Sequence, residues 1–359
     1  MGQSRRAFLS AAGLAVGAGC VGELTTGGSN DRTATASDRP SATDVSLLLN
    51  WKPSGLHVPY YAAKAEGFYE EQGLSVSKIE SGQGSDFAAK QAGLGNAAFA
   101  VTSADQVLNV NSRDVSPLSV GVVMQRSPVV LFTVRENFGA EFSAVGQLAG
   151  KTLGTGPGMV GLLSTLLLER EGVLDSVEMV DTGYDTVQQL LSGEIDVAGG
   201  VFGDVVDARH QGYATDSVRV ASAIPSYGHV LATSGTFADE HPGTVRAFLR
   251  ATARGAAWAH RHPEAATDHL VDAVPVLGES REQQRDKWRL MSSGFMLSET
   301  VRSKGWGRSA PEPWRTMHEA LDDADLLGGR VDPDEVWTNE YIDAEYEYVS
   351  SYAEAVSNS

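Results

Sequence analysis

The sequence predicts an α/β protein: two doubly wound units followed by a helical tail. Three observations carry that expectation. From residue 45 onward, short apolar runs with strand character take turns with segments of helical spacing. A second round of the same alternation starts at Leu148-Ala149-Gly150-Lys151. From Pro242 to Tyr352 the pattern is almost wholly helical. Strands that alternate with helices imply parallel sheets covered by helices on both faces.

Taken in order, residues 45–50 are an apolar strand ending in a loop, 51–56, and residues 57–66 have helical spacing closed by Gly67. Residues 74–79 alternate as a strand. Gly82-Gln83-Gly84-Ser85 reads as a strand-to-helix turn, with Ser85 as the helix N-cap. Residues 97–101 form the next strand, and Ser103 is placed to cap the helix after it. Strands at 119–124 and 129–134 follow. In the second unit a strand at 152–155 meets the turn Gly156-Pro157-Gly158 and a helix over 159–171. A strand at 177–180, a helix at 186–191 and a strand at 195–198 running into Gly199-Gly200 come next, then a helix at 203–210. Strands at 218–221 and 229–233 precede the tail, where Pro263 and Pro311 open helices. No internal repeat of fixed period is visible.

A length of 359 residues suits two domains, at about 150 residues each. The chain has 46 acidic and 28 basic residues, a net charge of -18. With no basic run, this excludes a phosphate-binding surface, so no nucleic-acid partner is expected. Arg outnumbers Lys, and the apolar residues lean to Ala and Val, a composition like that of proteins from salt-loving archaea. The only cysteine is Cys20, so neither an internal disulfide nor a cysteine metal site can form. No His/Asp/Glu set has metal-ligand spacing, and no cofactor is expected.

The leader speaks for export. Ser4-Arg5-Arg6-Ala7-Phe8-Leu9 places paired arginines before a modest apolar stretch, as in twin-arginine signals. Residues 7–19 are too few to span a bilayer, which takes about 20 apolar residues. The stretch ends at Ala18-Gly19-Cys20, which suits a lipoprotein signal peptidase and leaves Cys20 as a lipid anchor. Residues 21–43 are Gly-, Ser-, Thr- and Asp-rich and read as a flexible tether. The expected protein is held outside the cell membrane, where no ATP or nicotinamide pool supports metabolic chemistry.

Leu49-Asn50-Trp51-Lys52-Pro53, then His57, Tyr60-Tyr61-Ala62-Ala63-Lys64-Ala65-Glu66-Gly67-Phe68-Tyr69 and Gly73-Leu74, resemble a family signature. It is that of the substrate-binding proteins of thiamine-pyrimidine and nitrate/sulfonate/taurine ABC importers. Gly150-Lys151-Thr152-Leu153-Gly154, Gly183-Tyr184-Asp185 with Leu190 to Asp196, and Val336-Trp337-Thr338-Asn339-Glu340-Tyr341 continue the likeness across residues 45–343. The resemblance implies the type II periplasmic-binding-protein fold, with a two-strand hinge. Domain one would be residues 45–133 plus 230–350, and domain two 134–229. It also implies a monomer that carries a small-molecule ligand to ABC permease and ATPase subunits.

In open α/β sheets ligands bind beyond the carboxyl ends of the strands. The loops there are 50–55, 82–85, 102–105, 156–159 and 200–204, most of them opening a helix with free backbone N–H groups. They supply the candidates Asn50, Trp51, Gly84, Ser85, Ser103, Asp105, Gly156, Gly158, Met159, Phe202 and Asp204, with His57 and Tyr227 beside them. Trp51 is the best single candidate, since an aromatic directly after the first strand can stack on a flat ring. Phe202 is a second stacking candidate. Pyrimidine binders of the family tend to carry Gly-Gly-aromatic followed by Glu, whereas this chain has Gly199-Gly200-Val201-Phe202-Gly203-Asp204. His57 either donates to a ligand or caps its helix.

These residues favour capture of a small heteroaromatic, a thiamine pyrimidine precursor first. Nitrate, a sulfonate or taurine would call for cationic side chains, yet Lys52 is the only Lys in those loops and none holds Arg. Riboflavin is a further ligand to consider. An enzyme on the same fold, a pyrimidine synthase or a menaquinone-pathway dehydratase, is the alternative of another class. The export signal and the lack of a cysteine-rich motif or a catalytic triad speak against it.

Overall fold

The computed structural model describes residues 39–156, 159–183 and 185–357. The leader, Cys20 and the tether up to residue 38 lie outside them. The end of the expected tether is packed rather than free. The Ser41 and Ala42 backbone N–H groups donate to Thr244 Oγ1 (3.2 and 3.1 Å), and that hydroxyl donates back to the Ala42 carbonyl (2.9 Å).

The strands, in chain order, are β1 (Asp44–Leu48), β2 (Ser75–Glu80), β3 (Phe99–Ser103), β4 (Pro117–Val122), β5 (Val129–Val134), β6 (Thr152–Thr155), β7 (Glu178–Asp181), β8 (Val197–Val201), β9 (Thr215–Arg219) and β10 (His229–Ser234). They form two five-stranded sheets, ordered β2-β1-β3-β10-β4 and β7-β6-β8-β5-β9. Each sheet holds one strand of reversed direction. β10 runs antiparallel to β3 and β4, and β5 antiparallel to β8 and β9. The expectation of parallel sheets is corrected there. The reason is the path of the chain. It leaves each sheet at the end facing the other sheet, so it enters the next one from that end and runs against its neighbours.

Helices cover both faces, as the continuous burial of the central strands requires. Leu47, Phe99, Val101 and Leu231 face one core layer with Tyr60, Ala63 and Phe248. Leu48, Ala100, Val230 and Ala232 face the other with Ala88, Ala92, Val107 and Leu108. The same two layers continue into the second sheet, where Phe132, Ala198 and Phe202 belong to the first and Leu131, Val197 and Leu163 to the second.

The tail is part of the first lobe. Its long helix Pro242–Arg261 lies against Val58–Ala65, so close that a Cβ on Gly255 would sit 2.5 Å from the Pro59 carbonyl oxygen. Trp288, Trp306 and Trp314 are fully buried in its core, where a large apolar side chain stabilises by about 1.5–3 kcal/mol. Helical structure does not persist throughout, however. Residues 324–346 hold no helix, because Gly328-Gly329, Pro333 and a run of aspartates break the pattern. Instead Val336 and Thr338 hydrogen-bond to Ser119 of β4 (2.9 Å each), and the Asn339 side chain bonds both backbone groups of Ser309.

Helix Arg281–Gly294 touches both lobes. Gln284 Oε1 accepts the Gly55 N–H at 2.9 Å, while Lys287 reaches Asp207 at 2.6 Å on helix Phe202–His210. Two chain segments also pass directly between the sheets, residues 123–128 and 220–228. They are bonded side by side, Gly228 N to the Met124 carbonyl (3.0 Å) and Ser127 N to the Ser226 carbonyl (2.8 Å).

Candidate functional site

The carboxyl ends of β1, β3 and β8 and the starts of β5 and β10 converge on a cavity of about 250 Å³. Its wall is built from both sheets. Asn50, Trp51, Leu56, Ser85, Ser103, Asp105, Tyr227, Gly228 and His229 come from the first lobe and its crossover, and Ser127, Pro128, Val129, Met159, Val160 and Val201 from the second.

Local backbone chemistry fixes the first wall. The loop after β1 is zipped to the loop after β2: Gly82 N donates to the Trp51 carbonyl (3.1 Å) and Gly84 N to the Asn50 carbonyl (2.8 Å). A Cβ on Gly82 would collide with the Leu49 carbonyl oxygen at 1.9 Å. Gly84 has φ +129°, a conformation that side chains rarely adopt. Gly84 thus caps the helix Ser85–Gly93, a place expected for Ser85, whose side chain instead faces the cavity. Ser103 does precede the helix Ala104–Asn111, but its hydroxyl makes no cap bond to the backbone. The backbone clamp leaves the Trp51 ring 52% exposed at the cavity, an uncommon place for a tryptophan.

Behind Asn50 lie two histidines. His57 and His229 are 1% and 5% exposed, and their rings stack with centroids 5.8 Å apart. His57 Nδ1 accepts the Ser54 backbone N–H (3.2 Å), and His57 Nε2 meets Asn50 Oδ1 at 2.9 Å. Asn50 Nδ2 lies 3.1 Å from His229 Nε2 and 3.4 Å from Ser85 Oγ. Burial drives both imidazoles toward the neutral form. It holds His57 well below its ordinary pKa, with His229 adding to the effect, and takes His229 down to about 4.

Asp105 is the charged group of the wall, 3% exposed. Burial pushes its carboxyl pKa up, partly offset by hydrogen bonds from the Ser103 hydroxyl and the Gln106 amide (2.7 Å). Among the described residues no Lys or Arg lines the cavity. Tyr227 offers a ring edge only, for its hydroxyl accepts the Ala310 N–H (2.7 Å), and burial takes its pKa to about 12.

Of the residues expected from sequence, Asn50, Trp51, Ser85, Ser103, Asp105, Met159 and Tyr227 meet at this cavity. His57 sits behind it as a helix cap and a donor to Asn50. Gly84 and Gly156 shape the backbone; a Cβ on Gly156 would be 2.6 Å from the Gly183 carbonyl oxygen. Gly158 lies outside the described residues. Phe202 and Asp204 are corrections. β8 runs three residues further than the expected end at Ala198, to Val201, so Val201 is the residue that reaches the cavity. Phe202 turns inward, 1% exposed, and stacks on Phe295 at 4.3 Å. The Asp204 carboxylate is spent on the Val201 N–H (2.8 Å) at the start of its helix. Among the described residues no His/Cys/Asp/Glu group could hold a metal.

The sequence reading missed Leu56, Ser127, Pro128, Val129, Val160, Val201, Gly228 and His229. The run 229–233 was visible as a strand, and a rule that reversed strands start at the cleft would have found His229.

A family model described as NMT1/THI5 like matches residues 55–266. The riboflavin-binding protein RibY of Chloroflexus aurantiacus is 26% identical over 85% of this chain and 87% of that protein. The formylaminopyrimidine-binding protein of Halalkalibacterium halodurans is 25% identical over 82% and 90%. A protein named 4-amino-5-hydroxymethyl-2-methylpyrimidine phosphate synthase, from Legionella pneumophila, is 25% identical over 65% and 74%. In structure, the chain is similar to the periplasmic aliphatic sulphonate binding protein SsuA of Escherichia coli, with TM-score 0.64 and 12% identity over 83% of this chain and 93% of that one. The fold is thereby a periplasmic-binding-protein fold.

Proposed function

From the premise that the chain belongs to the NMT1/THI5-like family, we propose that it is the solute-binding subunit of an ABC importer, and that it captures a small aminated heteroaromatic of the pyrimidine class. The observation that carries the reading is the pairing in one cavity of a half-exposed Trp51 ring with the buried Asp105 carboxylate, with no Lys or Arg among the described residues of its wall. A flat ring stacks on the indole. A ring amine donates to the carboxylate, which burial has stripped of water. Nitrate or a sulfonate would meet a buried acid and no cation among the described residues of the wall.

Size supports a single ring. A cavity of roughly 150 Å³ accommodates benzene, so about 250 Å³ leaves room for a ring with short substituents. Binding rather than turnover is favoured because the histidines near the cavity are held in structural hydrogen bonds and, among the described residues, no second carboxylate stands beside Asp105 in the wall. Export by the twin-arginine route, anchorage through Cys20 and a salt-adapted surface complete the reading, and they rest on sequence alone.

The test is a thermal-shift and calorimetric screen of the purified chain in high salt. The panel is 4-aminopyrimidine, a formylaminopyrimidine, thiamine, riboflavin, nitrate and taurine. A ligand that binds only the folded state raises the melting temperature. A shift with the aminopyrimidines that is lost in Trp51→Ala and Asp105→Asn supports the proposal. A shift with nitrate or taurine alone, or conversion of a pyrimidine to product, overturns it.

A further inference from the structure

The hydrogen bonds behind the cavity leave no freedom of direction. A backbone N–H can only donate, so the Ser54 N–H at 3.2 Å makes His57 Nδ1 an acceptor. Neutral His57 then carries its proton on Nε2 and donates it to Asn50 at 2.9 Å, which must present Oδ1. That sets the carboxamide: its Nδ2 points at His229, whose Nε2 accepts at 3.1 Å. Neutral His229 therefore holds its proton on Nδ1, an atom buried without a partner among the described residues. An unmet buried donor destabilises the fold, and packing alone gives no reason to leave one here.

One Asn50 amide hydrogen is used by His229. The other is held only by the long 3.4 Å contact to Ser85 Oγ, and both Asn50 and Ser85 line the cavity. We propose that His57 and His229 are positioning residues that lock the Asn50 carboxamide with its N–H toward the ligand, so that the protein selects a pyrimidine bearing a hydrogen-bond acceptor, a ring nitrogen or a carbonyl oxygen, at that point. This rests on the pyrimidine reading above and adds polarity to it. Trp51 recognises any flat ring and Asp105 demands a donor; Asn50 demands an acceptor, so the three together fix which way round the ring lies.

The experiment reads the tautomers directly. In the full chain with ¹⁵N-labelled histidine, long-range ¹H–¹⁵N spectra at pH 7 are assigned by the signals lost in His57→Gln and His229→Gln. The expected result is two neutral rings, His57 protonated at Nε2 and His229 at Nδ1. A His229 ring protonated at Nε2, or charged, overturns the relay whatever the ligand proves to be. The second arm titrates a formylaminopyrimidine. His57→Gln keeps an N–H for Asn50 Oδ1 and should bind within about threefold of the parent; His57→Leu, which cannot donate, should bind at least tenfold more weakly, with both variants checked for folding by circular dichroism. Equal binding by the two folded variants overturns the positioning role. If His57→Leu does not fold, the tautomers decide alone. If no pyrimidine binds the parent chain, the proposed ligand fails while the tautomers still judge the relay.

Discussion

The imidazole rings of His57 and His229 lie stacked, 12° from parallel, on two segments of the first lobe that are 172 residues apart in sequence, and the Asn50 side chain bridges them.

This pair gives the fold an acid sensitivity. The folded pKa of His229 is about 4, below the ordinary 6.5, so the neutral ring is favoured by folding. Its stability is fully present above pH 6.5 and is lost as pH falls toward 4, by about 3 kcal/mol in total. Asp105 and Asp204, with raised pKa values, act in the opposite sense. Melting temperatures from pH 7 to 4 should therefore fall more steeply for the parent chain than for His229→Gln. Parallel curves would contradict the assignment.

Trp51→Ala should separate binding from stability. The ring is half exposed, so the melting temperature should change by no more than the roughly 0.5 kcal/mol of a surface substitution. Affinity for a pyrimidine should fall about tenfold, the scale of a lost aromatic stack at about 1.5 kcal/mol. Calorimetry and a denaturant titration read the two quantities.

Phe202→Ala should do the reverse. Its ring is buried against Phe295, and removal of a buried aromatic costs about 3–5 kcal/mol. Chemical denaturation should show that loss. Protein that remains folded should still take up ligand, since the ring does not line the cavity.

Asp105→Asn should stabilise the free protein at pH 7 while weakening its grip on an aminated ring. Burial raises the carboxyl pKa, so the charged form disfavours the folded state above that pKa, and the amide removes the charge. The advantage should vanish as pH drops and the parent carboxyl protonates. A melting temperature that falls at pH 7 would count against this.

Gly228→Ala should weaken both folding and binding. An added Cβ would lie 2.9 Å from Met124 Cβ and from Pro128 Cδ, between the two crossing segments. Overpacking of this kind costs about 1–3 kcal/mol. Denaturation midpoints and pyrimidine affinity should drop together.

Much of the first wall was legible in the sequence because a loop after a parallel strand has one place to go. Asn50, Trp51, Ser85, Ser103 and Asp105 were all found that way, and Met159 in the second lobe likewise. The Gly199-Gly200 segment misled because glycines read as a turn, whereas here they continue β8. Each leaves room for a neighbour: a Cβ on Gly199 would meet Ser164 Oγ at 2.8 Å, and on Gly200 the Asp204 carboxylate at 2.7 Å. Such close approach depends on residues far along the chain, or across a turn not yet formed, and leaves no local trace. His229 escaped notice for a topological reason. Strand direction is a property of the whole path, and apolar alternation reads the same in either direction.

The two segments that carry the chain between the sheets, 123–128 and 220–228, do more than connect. Ser127, Tyr227 and Gly228 belong to them, and each also lines the cavity. Under the proposed reading, the part that measures the solute is made of the same backbone that joins the lobes. A change in what the protein accepts and a change in its resting posture cannot be made separately here, and a lineage drifting toward a new nutrient through these positions would retune its mechanics with every step.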